Sequence, residues 1–169
     1  APTPGQAMLT ILDGVQPCGI TTIILDKCHT LPLLGVIGQI EPVLPVQLLA
    51  SPAYENLGTV IVANSDRPMG EGILTVHVQV DTGKNYSIDI SQGELRRLVV
   101  PPGSAVVLDL EPESHTSVGF GESGRGGRLK VIGGAVGVII DARGRPLLLP
   151  DDDDERLTRL HQWKSILGG

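Results

Sequence analysis

The chain has 169 residues, a net charge of −6 and 41% hydrophobic residues, yet only one Trp, one Phe and two Tyr. That length suits one domain, or one domain with an appendage, and is enough to bury a core without disulfide staples. The acidic balance argues against non-specific nucleic-acid binding, which needs a basic face, and no apolar run reaches the roughly 20 residues that span a bilayer.

With so few aromatics, the core must be built from Val, Ile and Leu, which pack well on pleated sheet. Gly (22) and Pro (13) together exceed a fifth of the chain, a composition that suggests many tight turns between short strands. The start, Ala1-Pro2-Thr3-Pro4, lacks the basic end and apolar core of a secretory signal and has no initiator Met. The expectation is a C-terminal piece of a longer cytoplasmic chain. Cys18 and Cys28 make no disulfide framework and are expected as buried or half-buried reduced thiols.

Pro4 to Val15 reads as a short helix, with Ala7, Met8, Ile11, Leu12 and Val15 at helical spacing and Pro17 ending it. Ile20 to Leu25 is β-branched and apolar, which predicts a buried strand. Leu31 to Leu49 is apolar but broken by Pro32, Pro42 and Pro45, so two short helices are expected. Strands follow over Thr59–Ala63 and Gly72–Val80, the second with Leu74, Val76, Val78 and Val80 on one face. Asp81-Thr82-Gly83-Lys84 is a hairpin turn signal, and Tyr86, Ile88 and Ile90 alternate on the returning strand. Glu94–Val100 is the next strand, closed by Pro101-Pro102-Gly103, and Ala105–Leu110 follows, with Val107 and Asp109 opposite Val106, Leu108 and Leu110.

A Gly-rich stretch, Gly119 to Gly127, precedes two strands, Leu129–Ile132 and Val136–Ile140, joined at Gly133-Gly134. Asp141 to Arg145 reads as a turn and Leu147-Leu148-Leu149 as the return of a last hairpin. Asp151 to Leu167 is the clearest helix, capped by Asp151, with Asp152, Asp153, Asp154 and Glu155 at the positive end of its dipole. Leu157, Leu160, Lys164 and Leu167 fall on one side of it, with Trp163 and Ile166 beside them. The expected fold is mainly β (α+β): an antiparallel β-barrel or sandwich with a short α/β N-terminal segment and a C-terminal helix. Residues 1–50 would form a connecting helix-strand-helix segment, and residues 51–169 the β domain with its helix.

Two segments carry a resemblance. Ile11 to Asp26, continuing to Leu34-Gly35, is similar to the segment that follows the ATPase-like domain in glutamate mutase L proteins. Gly133 to Leu147, followed by an acidic helix, resembles the C-terminal end of the longer members. These proteins are companions of adenosylcobalamin-dependent mutase subunits, with an actin-like nucleotide-binding part and a proposed role in maintaining or reactivating the mutase. The resemblance implies a C-terminal domain outside that nucleotide-binding part, and no phosphate-binding residue of the family maps onto this chain.

Candidate chemistry is sparse. Gly119, Gly121 and Gly124 match G-x-G-x-x-G, but the next apolar run reads as strand, whereas a nucleotide site needs a helix there. A flexible loop is the favoured reading. Arg125 and Arg128 give it positive charge, so the loop Gly119, Gly121, Gly124, Arg125, Arg128 is the candidate site for a small anion or an acidic face of a partner. Cys18, Cys28 and His29 lack zinc-ligand spacing, and His77 lies opposite the expected buried face. Ser114, His115 and Ser117, with Glu111 and Glu113, read as an exposed polar turn, not a nucleophile with its base. The contiguous acids Asp151 to Asp154 lack the spacing of a calcium loop and are better explained as helix capping.

No catalytic residue, metal ligand or cofactor is assigned. The leading expectation is a non-catalytic interaction domain that docks on its own ATPase-like domain, on a second copy or on a mutase subunit. Its contact regions would be the Arg loop and the apolar segment Ile20 to Leu49, either exposed or packed on the chain's own strands. The alternative is a small-molecule or anion-binding β-barrel module.

Overall fold

The computed structural model describes residues 3–80, 83 and 85–168. Helix α1 (Pro4–Gly14) opens on a capping box: the Gln6 amide donates to Thr3 Oγ1 at 3.2 Å and the Thr3 amide donates to Gln6 Oε1 at 3.1 Å. Strand β1 (Ile20–Asp26) follows, then α2 (Leu31–Ile40) and α3 (Val43–Leu49), the two short helices expected between the prolines. The strands β2 (Tyr54–Val62), β3 (Asn64–Ser65), β4 (Gly72–Val80), β5 (Asn85–Ser91), β6 (Leu95–Leu98), β7 (Ala105–Pro112), β8 (Thr116–Ser117), β9 (Gly127–Ile132) and β10 (Gly137–Asp141) come next. Helix α4 (Asp153–Ile166) closes the chain.

The molecule is mainly β. One four-stranded sheet has the order β1-β2-β10-β6 and a second the order β5-β4-β7-β9, with β3 and β8 forming a two-stranded ribbon. Among the described residues neither sheet closes into a barrel. The pairing is antiparallel except between β2 and β10, which run parallel, a correction to the all-antiparallel expectation. The two central strands of the first sheet, β2 and β10, are buried on both faces, as parallel pairs generally require. Ile61, Val138 and Ile140 face the second sheet and meet Val76, Val78, Val106, Leu108 and Leu110 there. Val60, Val62 and Ile139 face the other way, onto Met8 and Leu12 of α1 and Trp163 and Leu167 of α4. Burial on both faces leaves 137–141 without alternation, and 137–140 is a continuous apolar run.

The second sheet covers only its inner face, so its strands alternate. Val76, Val78, Val106, Leu108 and Leu110 are buried, while Thr75, His77, Gln79, Val107 and Asp109 face outward, as the sequence pattern predicts. The turn predicted at Asp81-Thr82-Gly83-Lys84 has Asp81, Thr82 and Lys84 outside the described residues; β4 and β5 on either side of it pair antiparallel.

Four further expectations are corrected. Strand β1 is an edge strand with only Ile23 buried, because its neighbour on the open side is solvent. The strands on either side of Gly133-Gly134 lie in different sheets, so the glycines carry the chain from one layer to the other and make no hairpin. Leu147 to Leu149 form no strand, and Leu148 is exposed. The cap of α4 is Asp152, whose Oδ1 accepts from the Glu155 amide at 2.9 Å, one residue beyond Asp151. On α4 itself Trp163 and Leu167 are buried but Leu157 is exposed, since the packed stripe covers only the last turns. Those turns approach α1 closely: a Cβ on Gly5 would lie 2.1 Å from the Leu167 carbonyl oxygen.

Candidate docking surface

Antiparallel neighbours such as β1 and β2 can be joined by two residues. Here the connection instead carries α2 and α3, a helical hairpin beyond the end of the first sheet. Its shape follows from three prolines. Pro32 sits in the first turn of α2, where its missing N–H costs nothing. Glu41 precedes Pro42 and takes an extended conformation (φ −141°, ψ 99°), which ends α2. Pro45 lies in the first turn of α3 and faces Gly38, whose added Cβ would be 3.3 Å from Pro45 Cγ.

The hairpin has no buried residue. Leu34, Ile37, Pro45 and Leu48 are half-buried along the seam between the helices. Leu31, Leu33, Val36, Ile40, Val43, Leu44, Val46 and Leu49 are 43–81% exposed. Glu41, at the tip, is the only charged residue from 31 to 50. A helix that is apolar all round normally lies inside protein or lipid.

The base of the hairpin is latched. Asp26, at the end of β1, accepts from the Cys28 amide (3.1 Å), the Thr30 hydroxyl (3.3 Å) and the Leu31 amide (2.8 Å). The Thr30 and Tyr54 hydroxyls hydrogen-bond at 2.6 Å, and the Lys27 amide donates to the Ala53 carbonyl at 3.0 Å. Partial desolvation opposes ionisation of Asp26, but the hydrogen bonds from Leu31, Cys28 and Thr30 outweigh it and hold the carboxyl below its ordinary value.

Sequence reasoning missed a second feature, a buried ionic hub just after β10. Asp141 is fully buried and Arg143 is 2% exposed. Asp141 Oδ1 accepts from the Arg143 amide (3.1 Å) and Nε (3.0 Å), and Oδ2 accepts from Arg143 Nη2 (3.0 Å) and Arg145 Nη2 (2.8 Å). Arg143 Nη1 donates to Asp13 of α1 at 2.9 Å, and its guanidinium lies 4.5 Å from the centre of the Trp163 ring in α4. Arg145 Nε donates to the Pro17 carbonyl at 3.1 Å. Burial pushes the Asp141 pKa up, but the hydrogen bonds and charges of Arg143 and Arg145 win and bring it below the ordinary value. These pairings tie α1, β10 and α4 together. The signal was legible as Asp141-x-Arg143-x-Arg145 at the end of an apolar strand, charges where the chain is still inside the core.

The Gly-rich loop is structural in its details. Gly119 (φ 92°) sits against Gly19, where a Cβ would come within 2.9 Å of the Gly19 Cα. Phe120 packs on the core and lies where a Cβ of Gly127 would be, 2.8 Å from its ring. Gly121 and Gly124 take positive φ, and the loop runs into strand β9, not a helix. Arg125 is exposed on the loop. Arg128 is on the outer face of the second sheet, donating to Gln79 Oε1 at 2.6 Å and registered opposite Asp109. The fold gives the two arginines no shared partner among the described residues.

Cys18 and Cys28 are both exposed and unpaired, a correction to the expected burial. They lie in the loops before and after β1, which the edge position of that strand leaves open. His77 lies on the outer sheet face, with Nδ1 2.7 Å from Ser87 Oγ and Nε2 3.1 Å from Glu111. Ser114 and His115 are in the exposed turn before β8, and Glu113 there pairs with Arg67 at 3.6 Å. Among the described residues no three His, Cys, Asp or Glu side chains cluster as metal ligands. Among the described residues no helix is long and apolar enough to cross a membrane.

The space between the sheets is filled by aliphatic side chains. Open cavities lie at the margins. One of about 460 Å³ between β6 and α4 is lined by Glu94, Arg96, Arg97, Gln162 and Trp163. A more apolar one of about 400 Å³ at the end of the second sheet is lined by Val78, Tyr86, Val99, Pro101, Ser104 and Val106. The chain matches no known family model, and neither the curated proteins nor the solved structures contain a similar one.

Proposed function

We propose that this chain is a non-catalytic accessory domain of a glutamate mutase L-like protein, and that it acts by docking through the α2–α3 hairpin. The observation that carries this is the exposure of eight large aliphatic side chains on one latched protrusion, with none buried. Burying one Leu or Ile contributes roughly 1.5–3 kcal/mol, so a surface of this kind holds a large unused stabilisation. The mutase connection comes from the resemblance of 11–35 and 133–147 to glutamate mutase L proteins. The reading takes the two sheets as a sandwich and the cytoplasm as the compartment, which the exposed reduced thiols of Cys18 and Cys28 suit.

The test is a binding measurement between this chain and purified adenosylcobalamin-dependent mutase subunits, and between this chain and an actin-like ATPase domain of a glutamate mutase L protein. Saturable binding that Val36→Glu abolishes is the expected result. No binding to either partner at high micromolar concentration counts against the mutase role. A second reading, a small-molecule module, is favoured by the apolar cavity around Val78, Tyr86 and Val106. The candidate loop Arg125–Arg128 would serve that reading only through an anion, and a phosphate titration monitored by their side-chain resonances tests it.

A further inference from the structure

We infer that the open edge of β1 pairs with β1 of a second copy, antiparallel about a two-fold axis at Thr22, so that the four-stranded sheets of two copies join into one continuous sheet. This goes beyond the docking role proposed above and uses a different surface. Three observations carry it.

The first is the direction of the backbone groups. The Val62 amide donates to the Gly19 carbonyl at 2.8 Å, and the Lys27 amide to the Ala53 carbonyl at 3.0 Å, so residues 19 and 27 bond towards β2. Alternate residues of an antiparallel strand point their amide and carbonyl to opposite sides. The register shift in this pair places its extra residue, Leu57, on β2, so the alternation along β1 is unbroken. Odd-numbered residues therefore bond β2, while Ile20, Thr22 and Ile24 aim their amides and carbonyls out of the sheet, where no strand lies. The side chains of these three are also exposed, on one face of the strand. Gly119 approaches the first of them, where a Cβ would lie 3.2 Å from the Ile20 nitrogen, and it has no side chain to cover the edge.

The second is the lack of a guard. Exposed sheet edges are kept from pairing by charged side chains or by shortness. Of the other open edges, β6 has four residues and carries Arg96 and Arg97, β9 carries Arg128 and Lys130, and β5 carries Asp89. Strand β1 has no charge from Ile20 to Leu25, and every residue from Ile20 to Ile24 is β-branched. Its one acid, Asp26, comes last, with its carboxylate taken up by Cys28, Thr30 and Leu31. Lys130 borders the cleft between β1 and β9 but is exposed and registered opposite outward-facing Val107.

The third is self-complementarity. A two-fold axis at Thr22 sets Thr22 opposite Thr22 and Ile20 opposite Ile24, so the three outward residues of one copy meet the three of the other. Each is then a hydrogen-bonded pair, and each brings β-branched side chains together on one face. Asp26 and Lys27 fall opposite Cys18 and Pro17 of the second copy, which carry no charge. The two Asp26 residues stand eight residue steps apart, roughly 27 Å, and do not repel one another appreciably. The pairing uses up the unguarded edge. What remains at the ends of the joined sheet is β6 with its arginines, so association closes at two copies.

The experiment is sedimentation equilibrium of the whole 169-residue chain under reducing conditions, from low to high micromolar concentration, with circular dichroism confirming the fold of each variant. The expected result is a reversible dimer. Ile24→Lys gives β1 the guard that the other edges have, on a side chain 50% exposed in the single chain, and should weaken the dimer by about tenfold through its two lost Ile pairs. Thr22→Pro removes an amide that β2 does not use and should abolish the dimer while the chain still folds. Ile40→Glu, in the α2–α3 hairpin, should change nothing. With Cys18 and Cys28 replaced by Ser, Thr22→Cys should form an interchain disulfide on mild oxidation, since a hydrogen-bonded pair sets its Cα atoms about 5.5 Å apart. Lys27→Cys in the same background should not. A chain that stays monomeric throughout overturns the inference, as does a dimer indifferent to both Ile24→Lys and Thr22→Pro or one that Ile40→Glu dissolves. A dimer in which Thr22→Cys fails to cross-link overturns the register, and open-ended polymers overturn the closure at two. A monomer that still binds mutase subunits sinks only this inference. A dimer that binds no subunit sinks only the mutase role.

Discussion

Single residues fix the relative placement of the layers here, and Arg143 does most of it. Its guanidinium reaches Asp141 at the end of β10, Asp13 in α1 and the Trp163 ring in α4. Replacing both partners of a buried pair with apolar groups is often harmless, but removing one leaves a charge without a partner. Arg143→Ala should therefore cost about 3–5 kcal/mol, read as a lower urea midpoint at unchanged slope. A loss below about 1 kcal/mol would mean that Asp141 finds another cation or takes up a proton at little cost. At this scale the glycines were partly legible. The G-x-G-x-x-G string was visible, but its purpose was not. Close approach of Gly119 to Gly19 depends on residues 100 positions apart, which no local pattern records.

At the scale of elements, the α2–α3 hairpin is separable from the fold that carries it. It contributes no buried residue, and the strands it joins are antiparallel neighbours. Replacing residues 28–52 with a two-residue Asn-Gly turn should keep the β fold, since that turn suits the twist of adjoining strands. The expected outcome is an unfolding midpoint close to the parent's, together with loss of any binding made through the hairpin. Collapse of the fold on replacement would show that the hairpin packs on the sheets after all. The prolines made the two helices legible in advance. Their exposure was not, because an apolar segment reads the same whether its partner is its own chain or another.

For the whole molecule, acid stability follows from the two carboxylates held below their ordinary value. Asp26 and Asp141 each have a pKa lowered from 3.8. Each binds fewer protons folded than unfolded, so its stabilisation is complete above 3.8 and is lost as the pH falls through that value towards the folded pKa. The raised pKa of Arg143 adds a stabilisation that is fully present at neutral pH and is lost only in strong alkali, so it puts no slope on stability near neutrality. Stability measured by urea denaturation should be flat from about pH 5 to 8 and fall steeply below about pH 4. Asp141→Asn should flatten that fall; an unchanged acid limb would place the titration elsewhere. The sequence by itself determined the elements: alternation along 72–80 and 105–110, the prolines of 32–45 and the capped acidic helix each act within a few residues. Tertiary structure alone decided which sheet each strand joined, that 20–26 is an edge, that 137–141 runs parallel to 58–62, and that Asp141 and Arg143 are inside. The reason is range. Periodicity and capping are set by near neighbours, whereas burial and strand partnership are set by residues that meet only once the layers have assembled.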